Sequence, residues 1–131
     1  MRNALILPAL LTLSTLAAPA FATQDWDLDA DGTITWSEVE DMRKRTFETF
    51  DTDQNGVLDS AEYTAFDAAR SEAAEKNPTS LSLRAVSGLA RENTDLNLDG
   101  QVTRAELETA LRTWFDRIDT DGDGVITKGE Y

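Results

Sequence analysis

The stretch that decides the fold is residues 51–62, which read DTDQNGVLDSAE. Side chains that carry oxygen stand at its first, third, fifth, ninth and twelfth positions, and Gly56 stands at the sixth. Side chains at this spacing can converge on one hard cation, the carbonyl of the seventh residue adds another oxygen, and glycine permits the sharp turn. The stretch therefore predicts a loop that binds a divalent metal ion.

The same pattern occurs three more times, so the chain has four such segments: residues 27–38 (loop 1), 51–62 (loop 2), 95–106 (loop 3) and 119–130 (loop 4). The candidate side-chain ligands are Asp27, Asp29, Asp31, Thr35 and Glu38; Asp51, Asp53, Asn55, Asp59 and Glu62; Asp95, Asn97, Asp99, Thr103 and Glu106; and Asp119, Asp121, Asp123, Thr127 and Glu130. The candidate carbonyl ligands belong to Thr33, Val57, Gln101 and Val125, and the glycines are Gly32, Gly56, Gly100 and Gly124. A single copy can be a metal-free turn, but four copies that all end in Glu are not a chance pattern.

This repeated loop resembles the calcium-binding loop of the EF-hand family, in the calmodulin-like superfamily, and the resemblance covers about residues 24–131. It implies up to four bound Ca²⁺ ions, and at the ninth position it implies that threonine acts through a water molecule or not at all. Loop 3 departs most from the family pattern, because Arg91 and Thr94 precede it where Phe47 and Phe50 precede loop 2.

The first 22 residues differ in character from the rest of the chain. Arg2 is followed by an apolar run and then by Ala20-Phe21-Ala22, which fits the small-x-small rule for signal-peptide cleavage. A membrane anchor is the alternative, but the apolar run is short for a bilayer span and contains Pro8. We expect a signal peptide over residues 1–22, a domain over residues 23–131 with no membrane span after cleavage, and a periplasmic or secreted protein.

The charge of the chain is concentrated in the four loops. The net charge is −13, from 25 acidic and 12 basic residues, and fifteen of the acids are candidate ligands. The chain contains no Cys and no His, which removes disulfides, thiol and imidazole catalysis and the usual zinc ligands. A net acidic chain also disfavours nucleic acid as a partner.

Loops 3 and 4 begin 68 residues after loops 1 and 2, respectively. The domain is therefore an internal duplication over about residues 24–75 and 80–131. Apolar periodicity predicts helices over residues 36–50, 60–76 and about 103–118, with a further helix that begins near Ser80. The expected fold is all-α, with four main helices and four calcium loops. We expect Trp36 and Trp114 to lie in the core, and Arg43-Lys44-Arg45 to form a solvated helix face rather than a contact for an acidic partner or anionic lipid.

The helix lengths predict which loops pair. A helix of fifteen residues is about 22 Å long, so loops 1 and 2 lie at opposite ends of one rod and cannot pair, and the same holds for loops 3 and 4. We expect loops 2 and 3 to form the central pair, with Leu58 beside Val102. Loops 1 and 4, each a half-hand, would then pair at the other end, with Ile34 beside Ile126.

The sequence indicates a calcium-binding protein whose folding or shape depends on Ca²⁺. Two alternatives stay open: a calcium-responsive sensor that binds a specific protein partner, and an enzyme or an enzyme's regulatory subunit. Sensors of this superfamily use an adaptable, Met-rich groove, whereas Met42 is the one methionine after residue 22. Every well-formed acidic cluster is already accounted for by metal ligation, so we expect no enzymatic activity.

Overall fold

The computed structural model describes residues 26–131, so the predicted signal peptide at residues 1–22 lies outside the described residues. The helices are α1 (Trp36–Phe50), α2 (Ser60–Lys76), α3 (Ser80–Gly88), α4 (Arg91–Thr94) and α5 (Arg104–Ile118), and the strands are β1 (Thr33–Thr35), β2 (Val57–Leu58), β3 (Val102–Thr103) and β4 (Val125–Thr127). The expectation of a mostly helical fold is confirmed, but the all-α class is not, because short strands pair at two places. Within residues 26–131, no helix is both long and apolar enough to cross a bilayer.

The strand pairing follows the prediction from helix length. Strand β2 pairs antiparallel with β3, and Leu58 lies opposite Val102. Strand β1 pairs antiparallel with β4, and Ile34 lies opposite Ile126. Loops 2 and 3 therefore meet at one end of the molecule and loops 1 and 4 meet at the other, while α1 and α5 each join one end to the other.

The core lies between the apolar faces of the helices, and both sheets add to it. The apolar side chains of the two long helices are buried; these are Val39, Met42, Phe47 and Phe50 of α1, and Leu107, Leu111, Trp114, Phe115 and Ile118 of α5. Trp36 is partly buried and packs against this cluster, edge-on to Phe115 at 5.7 Å between ring centroids. The prediction that Trp36 and Trp114 belong to the core is confirmed.

The basic triplet is not simply a solvated face. The Arg43 side chain is only 18% exposed, and its guanidinium lies 3.3 Å from the Glu108 carboxylate, so it ties α1 to α5. Lys44 pairs with Asp41 on its own helix, and both side chains are at least half exposed. Arg43 therefore makes a contact between helices, whereas Lys44 belongs to an ion pair on the surface of α1.

The segment that enters loop 3 differs from the predicted single helix. Helix α3 begins at Ser80, as expected, and its N-cap is Thr79, whose hydroxyl accepts a hydrogen bond from Ser82 N. The helix then ends at Gly88 and is followed by the short α4, which is additional to the four predicted helices. Gly88 lies against the Trp114 ring so closely that an added Cβ would sit 2.6 Å from Cδ1, and a larger residue would not fit there unless the ring moved.

A buried polar cluster holds the segment before loop 3, where the equivalent positions before loop 2 are aromatic. Tyr63 Oη donates to the Leu89 carbonyl at 2.7 Å and accepts from the Thr94 hydroxyl at 2.8 Å. Arg91 lies over the Tyr63 ring and donates to the Ser60 side chain and carbonyl. Burial raises the pKa of Tyr63 to about 12. These contacts tie the segment that enters loop 3 to the first turns of α2.

We predict that Tyr63→Phe destabilises the protein by about 1–3 kcal/mol, because it leaves the Leu89 carbonyl and the Thr94 hydroxyl without their buried partner. Urea unfolding in saturating Ca²⁺ measures the change. In a double-mutant cycle with Thr94→Val, the two losses should not add, since both variants break the same hydrogen bond. An unchanged urea midpoint for Tyr63→Phe would show that this cluster does not stabilise the fold.

Candidate metal centre

The four loops share one backbone turn at their sixth position. The glycines there have left-handed φ angles, which are 90° for Gly32, 85° for Gly56, 82° for Gly100 and 89° for Gly124. A residue with a Cβ is strained in that region, so glycine is needed for the turn. In each loop the glycine N–H donates to the first aspartate of the same loop, at 2.8–3.0 Å.

Three loops bring carboxylates together. Each of three groups offers oxygens that all lie within 4.8 Å of one another: Asp27, Asp29 and Glu38; Asp51, Asp53 and Glu62; and Asp119, Asp121 and Glu130. They occupy the first, third and twelfth positions of loops 1, 2 and 4. Carboxylates that are packed so closely repel one another, and a shared hard cation removes that repulsion.

Loop 3 has the same turn but a weaker cluster. Its third position is Asn97, so its acids Asp95, Asp99 and Glu106 do not form a three-carboxylate group within the described residues. Loop 3 still has the shared bond from Gly100 N to Asp95, and Asn97 N lies 3.4 Å from the Glu106 carboxylate. It is an oxygen-lined loop with less negative charge than the other three.

The glutamate at the twelfth position has two structural roles in loops 1, 2 and 3, where a helix follows the loop. Glu62 accepts hydrogen bonds from Thr52 N at 2.8 Å and from Asp59 N at 3.0 Å, so one carboxylate joins the beginning of loop 2 to its end. Asp59 in turn accepts from Glu62 N, which completes a capping box at the start of α2. A capping box of the same kind stands at the start of α1, where Thr35 is the N-cap, and at the start of α5, where Thr103 is the N-cap.

The fifth, seventh and ninth positions lie around these clusters. Asp31 Oδ1 accepts from Thr33 N at 2.8 Å and from the Thr33 hydroxyl, which lowers the pKa of Asp31. The seventh residue lies at or next to the start of a strand in every loop; these residues are Thr33, Val57, Gln101 and Val125. The ninth residues Thr35, Asp59 and Thr103 are helix N-caps, whereas Thr127 donates from its N–H and its hydroxyl to Glu130 and no helix follows it in the described chain.

Loop 2 shows how the carboxylates affect one another. Loss of hydration raises the pKa of Asp53, and the negative charge of Glu62 raises it further, against an opposing hydrogen bond from Asn55 N. The Asp59 N–H bond instead lowers the pKa of Glu62. The third position is therefore where negative charge is least compensated by the protein itself.

Two threonines at the second position, which the repeat pattern did not single out, contact the terminal glutamate of their loops. The Thr52 hydroxyl donates to Glu62 at 2.9 Å, and the Thr120 hydroxyl lies 3.5 Å from the Glu130 carboxylate. Both belong to loops that follow a long helix. The sequence does carry a signal for these contacts, because the second position is Thr in loops 2 and 4 and Leu in loops 1 and 3.

Comparison with known protein families gives matches at two places. The EF hand family model matches residues 42–67 and 111–131, which contain loops 2 and 4 with parts of the flanking helices. The searches of curated proteins and of solved structures returned no match. The matched segments contain two of the three carboxylate groups and the strands β2 and β4. The matches at these two regions support an EF-hand calcium-binding family for this chain.

Proposed function

We propose that this protein is an exported calcium-binding protein that binds up to four Ca²⁺ ions and whose folding or shape depends on them. The observation that carries the proposal is the convergence of three carboxylates within 4.8 Å in each of three loops. No catalytic residue is proposed, because the grouped acids are all assigned to metal.

The donor set of these loops fits Ca²⁺. The ion takes six to eight hard oxygen ligands in flexible geometry, and Mg²⁺ needs six at shorter distance. Each loop offers carboxylates at its first and twelfth positions, oxygen side chains at its third and fifth, and the carbonyl of its seventh residue. The ninth residues already cap helices, so we assign them a contact through water, or none, where they are threonine.

The charge distribution supports a link between metal binding and folding. The carboxylate oxygens of each group lie within 4.8 Å of one another, close enough for their like charges to repel even at the dielectric constant of water. Backbone N–H groups offset part of this repulsion, but they leave Asp53 with a raised pKa. We infer that loop closure without metal is opposed by its own ligands and that Ca²⁺ tips the balance toward the folded form.

Export is supported by the residue pattern of the N-terminus alone. The basic Arg2, the apolar run and Ala20-Phe21-Ala22 match a cleavable signal peptide. We propose cleavage after Ala22 and a periplasmic or secreted protein. Cell fractionation and N-terminal sequencing test this, and Thr23 is the expected first residue of the exported protein. An N-terminus that retains Met1 in a cytoplasmic fraction would contradict the proposal.

We predict that Ca²⁺ outcompetes Mg²⁺ at every well-formed loop, because the terminal glutamate can bind in bidentate fashion and support more than six ligands. Isothermal titration with Ca²⁺ in the presence of Mg²⁺ measures this, and dissociation constants of roughly 10⁻⁵ to 10⁻³ M would suit an exported protein. Displacement of Ca²⁺ by an equal concentration of Mg²⁺ would refute the proposed selectivity.

We predict that Glu62→Gln reduces calcium affinity more than Glu130→Gln does. Loop 2 lies between two long helices and has Asp59 at its ninth position, whereas no helix follows loop 4 in the described chain. The expected loss for Glu62→Gln is on the order of a hundredfold at loop 2, or ~2.7 kcal/mol.

The matched control for this comparison is Glu75→Gln, which makes the same chemical change at an exposed position of α2. It should leave every titration step unchanged. Equal losses for Glu62→Gln and Glu130→Gln would reject the ranking of the sites.

We predict that chelation lowers Tm by tens of degrees. At free Ca²⁺ of ten times Kd, each site adds about 1.4 kcal/mol, so four independent sites add about 6 kcal/mol. A small domain has about 5–15 kcal/mol in total, and 1 kcal/mol shifts Tm by roughly 4–8 °C at this size.

Hydrogen exchange in the presence of a chelator shows which parts of the protein lose stability without Ca²⁺. The end that contains loops 1 and 4 should open first, and α2 and α3 should stay protected longest. Equal protection with and without Ca²⁺ would show a rigid protein that folds before it binds metal.

A further inference from the structure

Loop 2 differs from the other three loops at its fifth position, which is Asn55 instead of aspartate. Gly56 follows it, and this is the one Asn-Gly pair in the chain. Asparagine is a chemically labile residue, and a glycine after it has no side chain to shield its backbone nitrogen. Loop 2 is therefore the one loop in which a reactive amide stands directly before an unshielded backbone N–H.

The reaction open to this pair is intramolecular deamidation. The Gly56 backbone nitrogen attacks the side-chain carbonyl carbon of Asn55, so that a new C–N bond forms and the Cγ–Nδ2 bond breaks. The proton that Gly56 N gives up ends on the leaving nitrogen, which departs as ammonia. Water then opens the cyclic imide at either of its carbonyl groups, which leaves aspartate or isoaspartate in place of Asn55. Water is the one co-reactant, and no oxidant or reductant takes part.

The closed loop engages both reacting groups. Gly56 N donates to Asp51 Oδ2 at 2.9 Å, so loss of its proton would place a second negative charge beside that carboxylate. Asn55 Oδ1 accepts from Val57 N at 3.0 Å, and Asn55 Nδ2 donates to Asp53 Oδ2 at 3.1 Å. Any rotation of the amide toward Gly56 N breaks these bonds. The closed loop therefore opposes the reaction at the nucleophile and at the electrophile.

This protection depends on closure of the whole loop. The Asn55 side chain is exposed, so water competes for each of its hydrogen bonds and each one alone adds little stability. The two ends of the loop are instead held by Glu62, which accepts from Thr52 N at 2.8 Å and from Asp59 N at 3.0 Å. When the loop opens, Gly56 N and the Asn55 amide are released together.

We propose that Asn55 is a deamidation site that loop 2 protects while it is closed around Ca²⁺ and exposes when it opens, so that the chain keeps a covalent record of time spent without calcium. The protection by Ca²⁺ rests on the proposed calcium binding. The reactivity of Asn55 with Gly56 does not rest on it.

The modification changes the loop in which it occurs. Both products replace the Nδ2 donor to Asp53 by a carboxylate oxygen, which adds a negative charge beside a carboxylate. Isoaspartate also adds one methylene group to the backbone directly before Gly56, whose φ of 85° sets the turn. Because the spacing of the ligands depends on that backbone, the isoaspartyl product loses calcium binding at loop 2.

The experiment incubates the proposed exported chain, residues 23–131, at mildly alkaline pH in saturating Ca²⁺, in chelator, and in chelator with concentrated urea. Peptide mass spectrometry measures the conversion of Asn55, and labelling by an isoaspartyl methyltransferase measures isoaspartate. Asn97 is the internal control in every sample, because it is an exposed loop asparagine that is followed by Leu98 and not by glycine.

Asn55 should convert severalfold faster in chelator than in Ca²⁺, and fastest in urea, while Asn97 stays almost unconverted. In saturating Ca²⁺, Glu62→Gln should raise the rate toward the value in chelator, and Glu75→Gln, at an exposed position of α2, should keep the rate of the parent chain. The unaltered chain gives the same test without a variant: the rate should fall with free Ca²⁺ at the midpoint that calorimetry gives for loop 2.

The outcomes separate this proposal from the proposed function. If Asn55 converts no faster than Asn97 in urea, the deamidation site is refuted. If calorimetry shows Ca²⁺ binding but Asn55 converts as fast in Ca²⁺ as in urea, or as slowly in chelator as in Ca²⁺, protection by calcium is refuted and the proposed function stands. If calorimetry shows no Ca²⁺ binding, the proposed function and the protection by calcium are both wrong.

Discussion

The structure depends on the glutamate carboxylate that ends each loop. In loop 2, Glu62 accepts N–H groups from both ends of the loop and caps the helix that follows, so one side chain sets the loop closure and the helix start together. The same carboxylate stands within 4.8 Å of two aspartates. The group that closes the loop is therefore also a source of the repulsion that opposes closure, which is the basis of the proposed link between folding and Ca²⁺.

Polar contacts hold the segment before loop 3, where the second half of the duplication lacks the aromatic residues of the first half. The Phe47 and Phe50 rings pack before loop 2, but the segment before loop 3 has Arg91 and Thr94, which are held by Tyr63. This arrangement allows the entering helix to break after Gly88 and to pass beside the Trp114 ring. The two halves of the duplication thus reach similar loop positions through different interactions.

Much of the fold could be predicted from the sequence, because the repeat spacing and the helix lengths are local properties. The bounds of α1 and the pairing of Ile34 with Ile126 follow from counting residues between glycines. The break between α3 and α4 was not predicted; it occurs where Gly88 lies against Trp114 of α5, a contact that is distant in the sequence.

The loops show the same division between local and long-range information. The convergence of Asp51, Asp53 and Glu62 was predictable from the repeat. The burial of Trp26 was not, since it depends on a contact with Trp114, 88 residues further along the chain.

The paired strands and the two long helices form a closed circuit: β1 leads through α1 to β2, β2 pairs with β3, β3 leads through α5 to β4, and β4 pairs with β1. In mechanical terms α1 and α5 are two stiff bars that are connected at both ends, and the two sheets are the joints. A rotation at one joint must be taken up at the other, because neither bar can shorten. The two ends of the molecule, about 22 Å apart along α1, are therefore coupled by the circuit itself, in addition to the contacts between α1 and α5 in the core.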